Sequence, residues 1–323
     1  MSARITTEVE HAARLLAAGE LVAIPTETVY GLGANAFDPD ACLRIFEAKR
    51  RPAFDPLIVH VRSAEALDEV AHDVPPAARD LVEVFWPGPL TLVLPKQDRV
   101  PDIVTSGLDT VAVRQPAQPL AAELLSALPF PLAAPSANLF GAVSPTTAQH
   151  VVDQLGGAIP LVLDGGPCRV GVESTIVGWE DGRCVLYRPG GVPLEELEPH
   201  VGRLERATTG PARESESAAP IAPGMLASHY APATPLQFGP LDELLPAQTG
   251  RRVGILAFDR EHDAHACRVL SPSGDLAEAA RSLFATLRDL DASGAELLLA
   301  EPVPDRGLGR AINDRLRRAA AKR

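Results

Sequence analysis

Apolar and polar residues follow two recurrent patterns along the first two thirds of the chain. Short runs of consecutive apolar residues are typical of strands buried on both faces, and they predict strands at 21–24, 57–61, 90–94, 111–113, 132–134, 161–163, 174–177 and 184–187. Apolar residues at helical spacing predict helices over 7–18, 64–71, 77–85, 120–128 and 147–155. This order is typical of an α/β domain. Several predicted strands follow one another without a helix, so we expect a mixed sheet.

Two of the predicted helices begin with capping residues. Thr7 and Glu10 have the spacing of a capping box at the start of the first helix. Asp38 followed by Pro39 predicts the start of another, because proline in the first turn has no hydrogen bond to lose. That second helix would end at Lys49.

The composition changes in the last third of the chain. Residues 204–224 are rich in Ala, Pro, Thr, Ser and Glu and poor in large apolar residues, which is typical of a linker. Beyond it, strands are predicted near 253–258 and 296–300, with an apolar helical stripe over 276–290 between them and a basic helix over 310–320. We therefore predict three regions: a catalytic domain over 1–203, a linker over 204–235 and a smaller domain over 236–323.

Length, charge and cysteine usage narrow the class of protein. A chain of 323 residues is long enough for two domains. The formal net charge of −12 opposes broad, nonspecific binding to nucleic acid. Four scattered cysteines without a C-x-x-C pair argue against a zinc site and a disulfide framework. The chain shows neither a long apolar run nor a signal-peptide pattern, so we expect a cytoplasmic protein that does not bind a membrane.

Several candidate binding segments follow predicted strands. Residues 25–33, PTETVYGLG, combine hydroxyls with glycines that let backbone approach a ligand closely. The basic run from Lys49 to Arg51 could be a solvated helix end, but its position between a helix and a buried strand suits a triphosphate. His60 could be an ordinary buried histidine. Arg188, before Pro-Gly-Gly, could form a surface ion pair or clamp an anion.

The order and spacing of these segments resemble a known family. PTETVYGLG, K-x-R-P, PLIVH, PSAN followed by SPT, STIV, R-x-G and HYAP occur in this order, and GLGRAINDRLRRAA lies near residue 320. Together they resemble the Sua5/YrdC family of threonylcarbamoyl-AMP synthases in its two-domain Sua5 form. The resemblance implies an α/β fold, with a YrdC-like twisted mixed sheet and flanking helices around a basic cavity. It also implies a smaller Rossmann-like α/β domain towards the C-terminus.

The resemblance also implies a reaction and a set of site residues. Family members are nucleotidyltransferases that use ATP, L-threonine and bicarbonate, with Mg²⁺, to make threonylcarbamoyl-AMP and pyrophosphate. This is the first step of the threonylcarbamoyladenosine (t6A) modification at position 37 of tRNA. The implied catalytic residues are Lys49 and Arg51. The implied threonine-binding residues are Thr28, His60, Arg114, Ala134 and Ser174. The implied ATP-binding residues are Arg51, Asp55, Thr110, Ser136, Ser144, Arg188 and Tyr230.

Two further expectations follow from the implied chemistry. Asp55 stands where many family members have Asn, and a carboxylate there must face a cation or a ribose hydroxyl to avoid repelling phosphates. Carbamates and acyl-adenylates are labile in water, so we expect the linker around His229 and Tyr230 to act as a lid. tRNA and downstream t6A transferase proteins are the implied partners.

Two other functions compete with this interpretation. A carbamoyltransferase could use related carbamoyl-adenylate chemistry, although such proteins carry further domains and this chain has no zinc-finger spacing. A non-catalytic module could use a basic cavity to bind double-stranded RNA. The acidic net charge and the neutral hydroxyls beside the cations favour a small-molecule site.

Overall fold

The computed structural model describes residues 2–206, 224–226 and 228–321 and contains two sheets. The strands are β1 Arg4–Thr6, β2 Val22–Ile24, β3 Gly31–Asn35, β4 Ile58–His60, β5 Leu90–Pro95, β6 Thr110–Arg114, β7 Leu132–Ala133, β8 Leu161–Leu163, β9 Thr175–Glu180, β10 Arg183–Arg188, β11 Glu205–Arg206, β12 Leu236–Phe238, β13 Val253–Ala257, β14 Ala266–Val269 and β15 Leu297–Ala300. The helices are α1 Val9–Ala17, α2 Pro39–Lys49, α3 Pro76–Phe85, α4 Asp102–Thr105, α5 Pro119–Ala127, α6 Ala148–Leu155, α7 Leu194–Val201, α8 Leu241–Leu244, α9 Leu276–Asp291 and α10 Gly309–Ala320. Short 3-10 helices span Glu65–Glu69 and Leu245–Gln248.

The larger sheet has eleven strands in the order β1-β8-β2-β3-β7-β4-β6-β5-β9-β10-β11. It contains both parallel and antiparallel pairs, so the predicted mixed sheet is confirmed. In the parallel pair of β4 and β6, His60 lies opposite Arg114, which brings two predicted site residues to the same edge. Parallel pairing therefore gathers side chains that are far apart in the sequence.

Some local predictions are wrong. The predicted helix over 64–71 is a short 3-10 helix, Glu65–Glu69. Thr7 does not cap α1, because the helix begins after Glu8, which makes no side-chain cap hydrogen bond. The sequence analysis missed strand β3, because the glycines of PTETVYGLG are also typical of a turn. In the structure these glycines allow neighbouring chain segments to pack closely against the strand. A Cβ at Gly31 would lie 3.2 Å from the Cβ of Ala134.

Helix α2 begins as predicted and fixes the basic segment. The Asp38 side chain accepts hydrogen bonds from the amides of Asp40 and Ala41, with Pro39 in the first turn. The helix ends at Lys49, after which Arg50 adopts a left-handed conformation with φ of 52°. This turn separates the buried side chains of Lys49 and Arg51 from the exposed side chain of Arg50.

The smaller sheet is entirely parallel, with the order β12-β15-β13-β14. Helix α9 buries the apolar stripe that the sequence predicted, including Leu283 and Phe284, neither of which is exposed. This arrangement confirms the expected smaller α/β unit. The boundaries of the three predicted regions stay predictions, and most of the predicted linker, at 207–223 and 227, lies outside the described residues.

The two sheets are joined by close packing as well as by the chain. Val29, Val143 and Val172, from the part of the chain that forms the larger sheet, share an apolar cluster with residues of α9 and α10. Gly171 has φ of 79°, and a Cβ there would lie 2.4 Å from the carbonyl oxygen of Ala280 in α9. A side chain at Gly171 would thus push the two units apart.

Candidate active site

A cavity with an empty volume of about 520 Å³ opens where several strands and loops of the larger sheet meet. Nine of the predicted site residues line it: Thr28, Arg51, His60, Arg114, Ala134, Ser136, Ser174, Arg188 and Tyr230. All five predicted threonine-binding residues are in this group. The sequence therefore identified most of the cavity wall, while the role of each residue stays a prediction.

Arg114 anchors one side of the cavity through a directed chain of hydrogen bonds. Its guanidinium donates from Nη1 to the hydroxyl of Thr28 at 2.8 Å and from Nε to the carbonyl of Gly88 at 3.1 Å. Thr26 donates its hydroxyl hydrogen to the carbonyl of Val29 at 2.6 Å, so the 2.8 Å contact between the two threonines must be donated by Thr28. Thr28 thereby faces the cavity with acceptor capacity only.

The sequence analysis missed the acidic partner of Arg114. Glu27 is 2% exposed, and its Oε1 accepts from Nη2 of Arg114 at 2.5 Å. Its Oε2 accepts from the amide of Ala117 at 3.0 Å. The position of Glu27 inside the PTETVYGLG segment was the available signal. Glu27 balances one buried guanidinium and holds its plane.

His60 is a neutral acceptor on the cavity wall. Burial, reinforced by the nearby charge of Arg114, lowers its pKa to about 3. Nδ1 lies 3.2 Å from the carbonyl oxygen of Ile58, so the neutral ring carries its proton on Nδ1. Nε2 is then a hydrogen-bond acceptor that adds no charge to the site.

Arg51 and Asp55 form a buried pair beside the cavity. Arg51 donates to the carbonyls of Asp55 and Pro56, at 3.1 and 2.8 Å. Its Nη2 also lies 2.9 Å from Oδ2 of Asp55, in an ion pair that lacks hydrogen-bond geometry. Burial raises the pKa of Asp55, although Arg51 and Lys49 oppose this effect. Asp55 thus faces a cation, as its chemistry requires.

Lys49 lies beneath the cavity wall and not on it. The side chain is 1% exposed, and Nζ donates to the carbonyls of Ser136 and Asn138. Burial, together with the charge of Arg51, lowers the pKa of Lys49 well below its ordinary value. In this arrangement Lys49 supports the PSAN loop, which itself supplies Ala134 and Ser136 to the wall.

The loop that carries Ser174 is clamped by Arg188. The guanidinium donates from Nη2 to the carbonyl of Ser174 at 3.0 Å and to its hydroxyl at 3.3 Å. Thr91 holds the same hydroxyl at 2.7 Å. A Cβ at Gly190 would lie 2.3 Å from the carbonyl oxygen of Glu173, which explains the glycine after Arg188-Pro189. Arg188 is thus an internal clamp whose side chain also lines the cavity.

Glu173 is a second carboxylate that the sequence analysis missed. Oε1 accepts from the hydroxyl of Ser144 at 2.6 Å, and Oε2 accepts from Nε of Arg315 at 2.7 Å. Burial acts to raise the pKa of Glu173, but Arg315 and Arg188 outweigh it, and the pKa lies below its ordinary value. Ser144 therefore lies behind the wall, and Arg315 brings α10 to the site.

The described end of the predicted linker covers one side of the cavity. Tyr230 is 1% exposed and stacks on Phe284 of α9 with ring centroids 5.8 Å apart. His229 is 4% exposed and meets Phe140 edge to face. The amide of Ala231 donates to the carbonyl of Gly141 at 2.8 Å. These contacts put both side chains on the cavity wall; movement as a lid stays a prediction.

Thr110 is a predicted ATP residue at the opposite end of β6 from Arg114. It begins β6, whereas Arg114 ends it, so the two are separated by roughly 13 Å at about 3.3 Å per residue. Alternation puts Thr110 on the same face of the strand as Arg114, but it is not among the lining residues. An extended ligand that left the cavity along β6 would reach it.

The described residues also bear on three further possibilities: a metal site, a reactive thiol and a membrane-spanning helix. Within 2–206, 224–226 and 228–321, no group of three or more His, Cys, Asp or Glu side chains is arranged for a metal ion. The four cysteines are free thiols, and burial raises the pKa of Cys42, Cys168 and Cys184 to about 12. None of the described helices is long and apolar enough to cross a bilayer.

Comparison with known proteins yields matches along almost the whole chain. Residues 14–190 match the Sua5_yciO_yrdC family model, described as "Telomere recombination", and residues 192–321 match "Threonylcarbamoyl-AMP synthase, C-terminal domain". The threonylcarbamoyl-AMP synthase of Pyrococcus abyssi is 46% identical over 97% of this chain and 94% of that protein. The Bacillus subtilis enzyme of the same name is 42% identical over 98% of this chain and 94% of its own length.

A solved structure matches over the same range. The crystal structure of P. abyssi Sua5 complexed with L-threonine has a TM-score of 0.89 and 45% identity, over 97% of this chain and 94% of that one. The match covers both sheets.

Proposed function

The chain belongs to the Sua5/YrdC family, and on this premise we propose that its cavity converts L-threonine, bicarbonate and ATP into threonylcarbamoyl-AMP and pyrophosphate. This nucleotidyl transfer is the first step of the t6A modification of tRNA. The observation that carries the proposal is the single cavity that joins a neutral, hydroxyl-rich side around Arg114 to a cationic side with Arg51 and Arg188.

The Arg114 side suits an amino acid. Arg114 offers a fixed guanidinium to a carboxylate, and the anchors Thr28 and Gly88 keep its plane in place. The Thr28 hydroxyl and Nε2 of His60 are acceptors for the amine and hydroxyl of threonine. The complex of P. abyssi Sua5 with L-threonine supports threonine as a substrate of this chain.

The Arg51 side suits a triphosphate, because Arg51 and Arg188 both line it.

The reaction proceeds in two steps. The threonine amine attacks the carbon of bicarbonate, and loss of water gives a carbamate. A carbamate oxygen then attacks the α-phosphorus of ATP, and pyrophosphate leaves. The protein supplies position and positive charge for both steps, so no side chain has to form a covalent bond. Phosphates near Lys49 and Arg51 would stabilise the charged forms that burial disfavours.

Mg²⁺ fits this site as a partner of ATP. Glu27 and Glu173 already accept hydrogen bonds from arginines, so they offer a cation no separate carboxylate cage. Mg²⁺ commonly binds through substrate phosphates and water, with only one or two protein carboxylates. Bound in that way it would neutralise charge on the phosphates and on the departing pyrophosphate.

The alternatives gain no support beyond the sequence. The match to the C-terminal domain of threonylcarbamoyl-AMP synthases extends over 192–321, where a carbamoyltransferase would carry other domains. The net charge of −12 disfavours an RNA-binding module. Use of the product on tRNA by a downstream transferase and a cytoplasmic location complete the proposal. The free thiols agree with a reducing compartment.

Pyrophosphate release tests the function directly. Purified protein with ATP, bicarbonate and Mg²⁺ should release pyrophosphate only when L-threonine is added, and mass spectrometry should detect the adenylate. Arg51→Ala and Lys49→Ala should each lower the rate about 10²-fold or more, the first by removing charge and the second by freeing the PSAN loop. Arg50→Gly is the matched control, because Arg50 is exposed and its left-handed φ suits glycine.

Absence of threonine-dependent pyrophosphate release would contradict the proposed function if the protein is shown to be intact. Protein that is folded and binds ATP but releases no pyrophosphate with threonine would contradict the proposal. Carbamoyl transfer or RNA binding would then become the leading function.

A further inference from the structure

We propose that Arg315 of α10 is a positioning residue for ATP, because it neutralises Glu173 and holds the loops that carry Ser144, Arg188 and Tyr230. This inference rests on the proposed function. It assigns a role in the larger sheet's cavity to a residue that lies between the smaller sheet and that cavity.

Arg315 is enclosed entirely by protein. Its side chain has no exposed surface. Nε donates to Glu173 at 2.7 Å, and Nη1 donates to the carbonyl of Pro189 at 3.0 Å and to Asp314 at 2.9 Å. The guanidinium carbon lies 5.1 Å from the centroid of the Tyr230 ring. Among the described residues, Nη2 has no hydrogen-bond partner.

Three of these contacts, to Glu173, Pro189 and Tyr230, reach a predicted ATP residue or a neighbour of one. Glu173 passes the contact to Ser144 through its other carboxylate oxygen, at 2.6 Å. Pro189 directly follows Arg188, and Tyr230 is itself on the cavity wall. The threonine side has separate anchors, because Arg114 is held by Glu27, Thr28 and Gly88. Glu173 also precedes Ser174 of the threonine side, but the Ser174 hydroxyl is held separately by Thr91 at 2.7 Å. The effect of Arg315 therefore falls mainly on the ATP half of the cavity.

Charge explains why the contact matters for ATP in particular. Glu173 lines the cavity, and an uncompensated carboxylate there would repel a triphosphate. Arg315 cancels this charge from the side away from the ligand and needs no contact with ATP. The same helix also binds the linker, because Arg318 donates to the carbonyl of Leu226 while its own carbonyl accepts from the amide of His229.

Arg310 provides a matched control on the same helix. It also pairs with a carboxylate across the boundary between the two units, Glu195, but its side chain is 28% exposed and its partner's 49%. Exposed pairs contribute little and do not constrain a cavity. Neither Arg310 nor Glu195 lines the cavity.

The test measures binding of a non-hydrolysable ATP analogue and of L-threonine by calorimetry, on full-length variants checked by thermal unfolding. Arg315→Met should raise the Kd for the analogue about tenfold or more, while the Kd for threonine stays within about twofold. The double variant Arg315→Met with Glu173→Gln removes both charges and should restore analogue affinity to within about threefold of wild type. Arg310→Met should change neither Kd.

Three results would overturn the proposal: unchanged analogue binding in a folded Arg315→Met variant, equal weakening of both ligands, or a folded double variant that stays about tenfold weak. If Arg315→Met does not fold, Arg315→Gln, which keeps polar atoms beside Glu173, takes its place with the same expected weakening of analogue binding. Product formation by the wild type is measured in parallel. Its absence would refute the proposed function, while the binding comparison would still judge Arg315.

Discussion

The two sheets of this protein treat buried charge in opposite ways. The smaller sheet has an apolar interior: every residue of β13 and of β15 is buried, and none carries a charge. The cavity of the larger sheet instead surrounds itself with buried ionisable residues: Glu27, Lys49, Arg51, Asp55, His60, Arg114, Glu173 and Arg188. Such groups cost stability unless they are paired. A concentration of buried ionisable residues at one place is therefore typical of a ligand-binding site.

Unsatisfied hydrogen-bonding atoms follow the same division. Among the described residues, five residues with a buried polar atom that lacks a partner lie at or just behind the cavity: Asp55, Asn138, His229, Tyr230 and Arg315. Beside the smaller sheet there are two, His262 and Arg288 of α9. At the ends of the smaller strands, polar groups satisfy one another, as where Ser271 and Ser273 donate to Glu278. Unmet polar groups are thus concentrated at the cavity, as expected of a site whose partners include a ligand.

Removal of Arg114 should have the largest effect. Arg114→Ala deletes the proposed carboxylate partner and leaves Glu27 buried and unpaired. We expect kcat/KM for threonine to fall about 10³-fold, and the free energy of unfolding to fall by about 3–5 kcal/mol. Steady-state kinetics and urea unfolding measure the two effects. Arg62→Ala is the control, since Arg62 follows β4, the strand that pairs with β6, but is 40% exposed. An unchanged KM for threonine would contradict the assignment.

A core mutation in the smaller unit should reverse this balance. Leu283 has no exposed surface and packs in α9. Leu283→Ala should lower the free energy of unfolding by about 2–5 kcal/mol through lost packing and a cavity. At temperatures where the variant stays folded, kcat/KM should stay within about twofold of wild type. A large kinetic loss with an intact fold would show that α9 itself positions the site and would weaken the contrast between the sheets.

The sequence was sufficient for ten of the fifteen described strands and for most of the cavity wall, but it did not predict β1, β3, β11, β12 and β14. Consecutive apolar runs predict buried strands well, and the hydroxyl-rich and basic segments that follow them do converge on one cavity. Strand β3 escaped because its glycines serve close backbone packing, as at Gly31 against Ala134, and not a turn. Local pattern alone does not distinguish these two uses of glycine.

The pairing of charges could not be predicted from the sequence. Glu27 and Arg114 are separated by 87 residues, and Glu173 and Arg315 by 142. No local period reports contacts at these separations. The basic residues of α10 predict a solvated surface, yet Arg315 among them is fully buried. Lys49 likewise reads as a phosphate ligand, whereas the fold turns it towards two backbone carbonyls.

The smallest of the three effects concerns His60 and pH. Its pKa is about 3 in the folded chain, against an ordinary value of 6.5, because burial and then Arg114 disfavour the charged ring. Between pH 7 and pH 5, His60 therefore binds a proton in the unfolded chain but stays neutral in the folded chain. The stability contributed by neutral His60 is present above the unfolded pKa and is lost as pH falls towards the folded one.

That loss should amount to about 2 kcal/mol between pH 7 and pH 5, at about 1.4 kcal/mol per pH unit below the unfolded pKa. His60→Gln removes the titrating ring and should flatten the dependence of unfolding free energy on pH by that amount, measured by urea unfolding at pH 7, 6 and 5. His265→Gln, at an exposed position near the smaller sheet, controls for removal of a histidine. Equal slopes for wild type and His60→Gln would mean that the folded cavity accepts a proton at His60. Burial would then disfavour a charged His60 less than expected. The contrast between the two sheets would rest only on the buried arginines of the cavity.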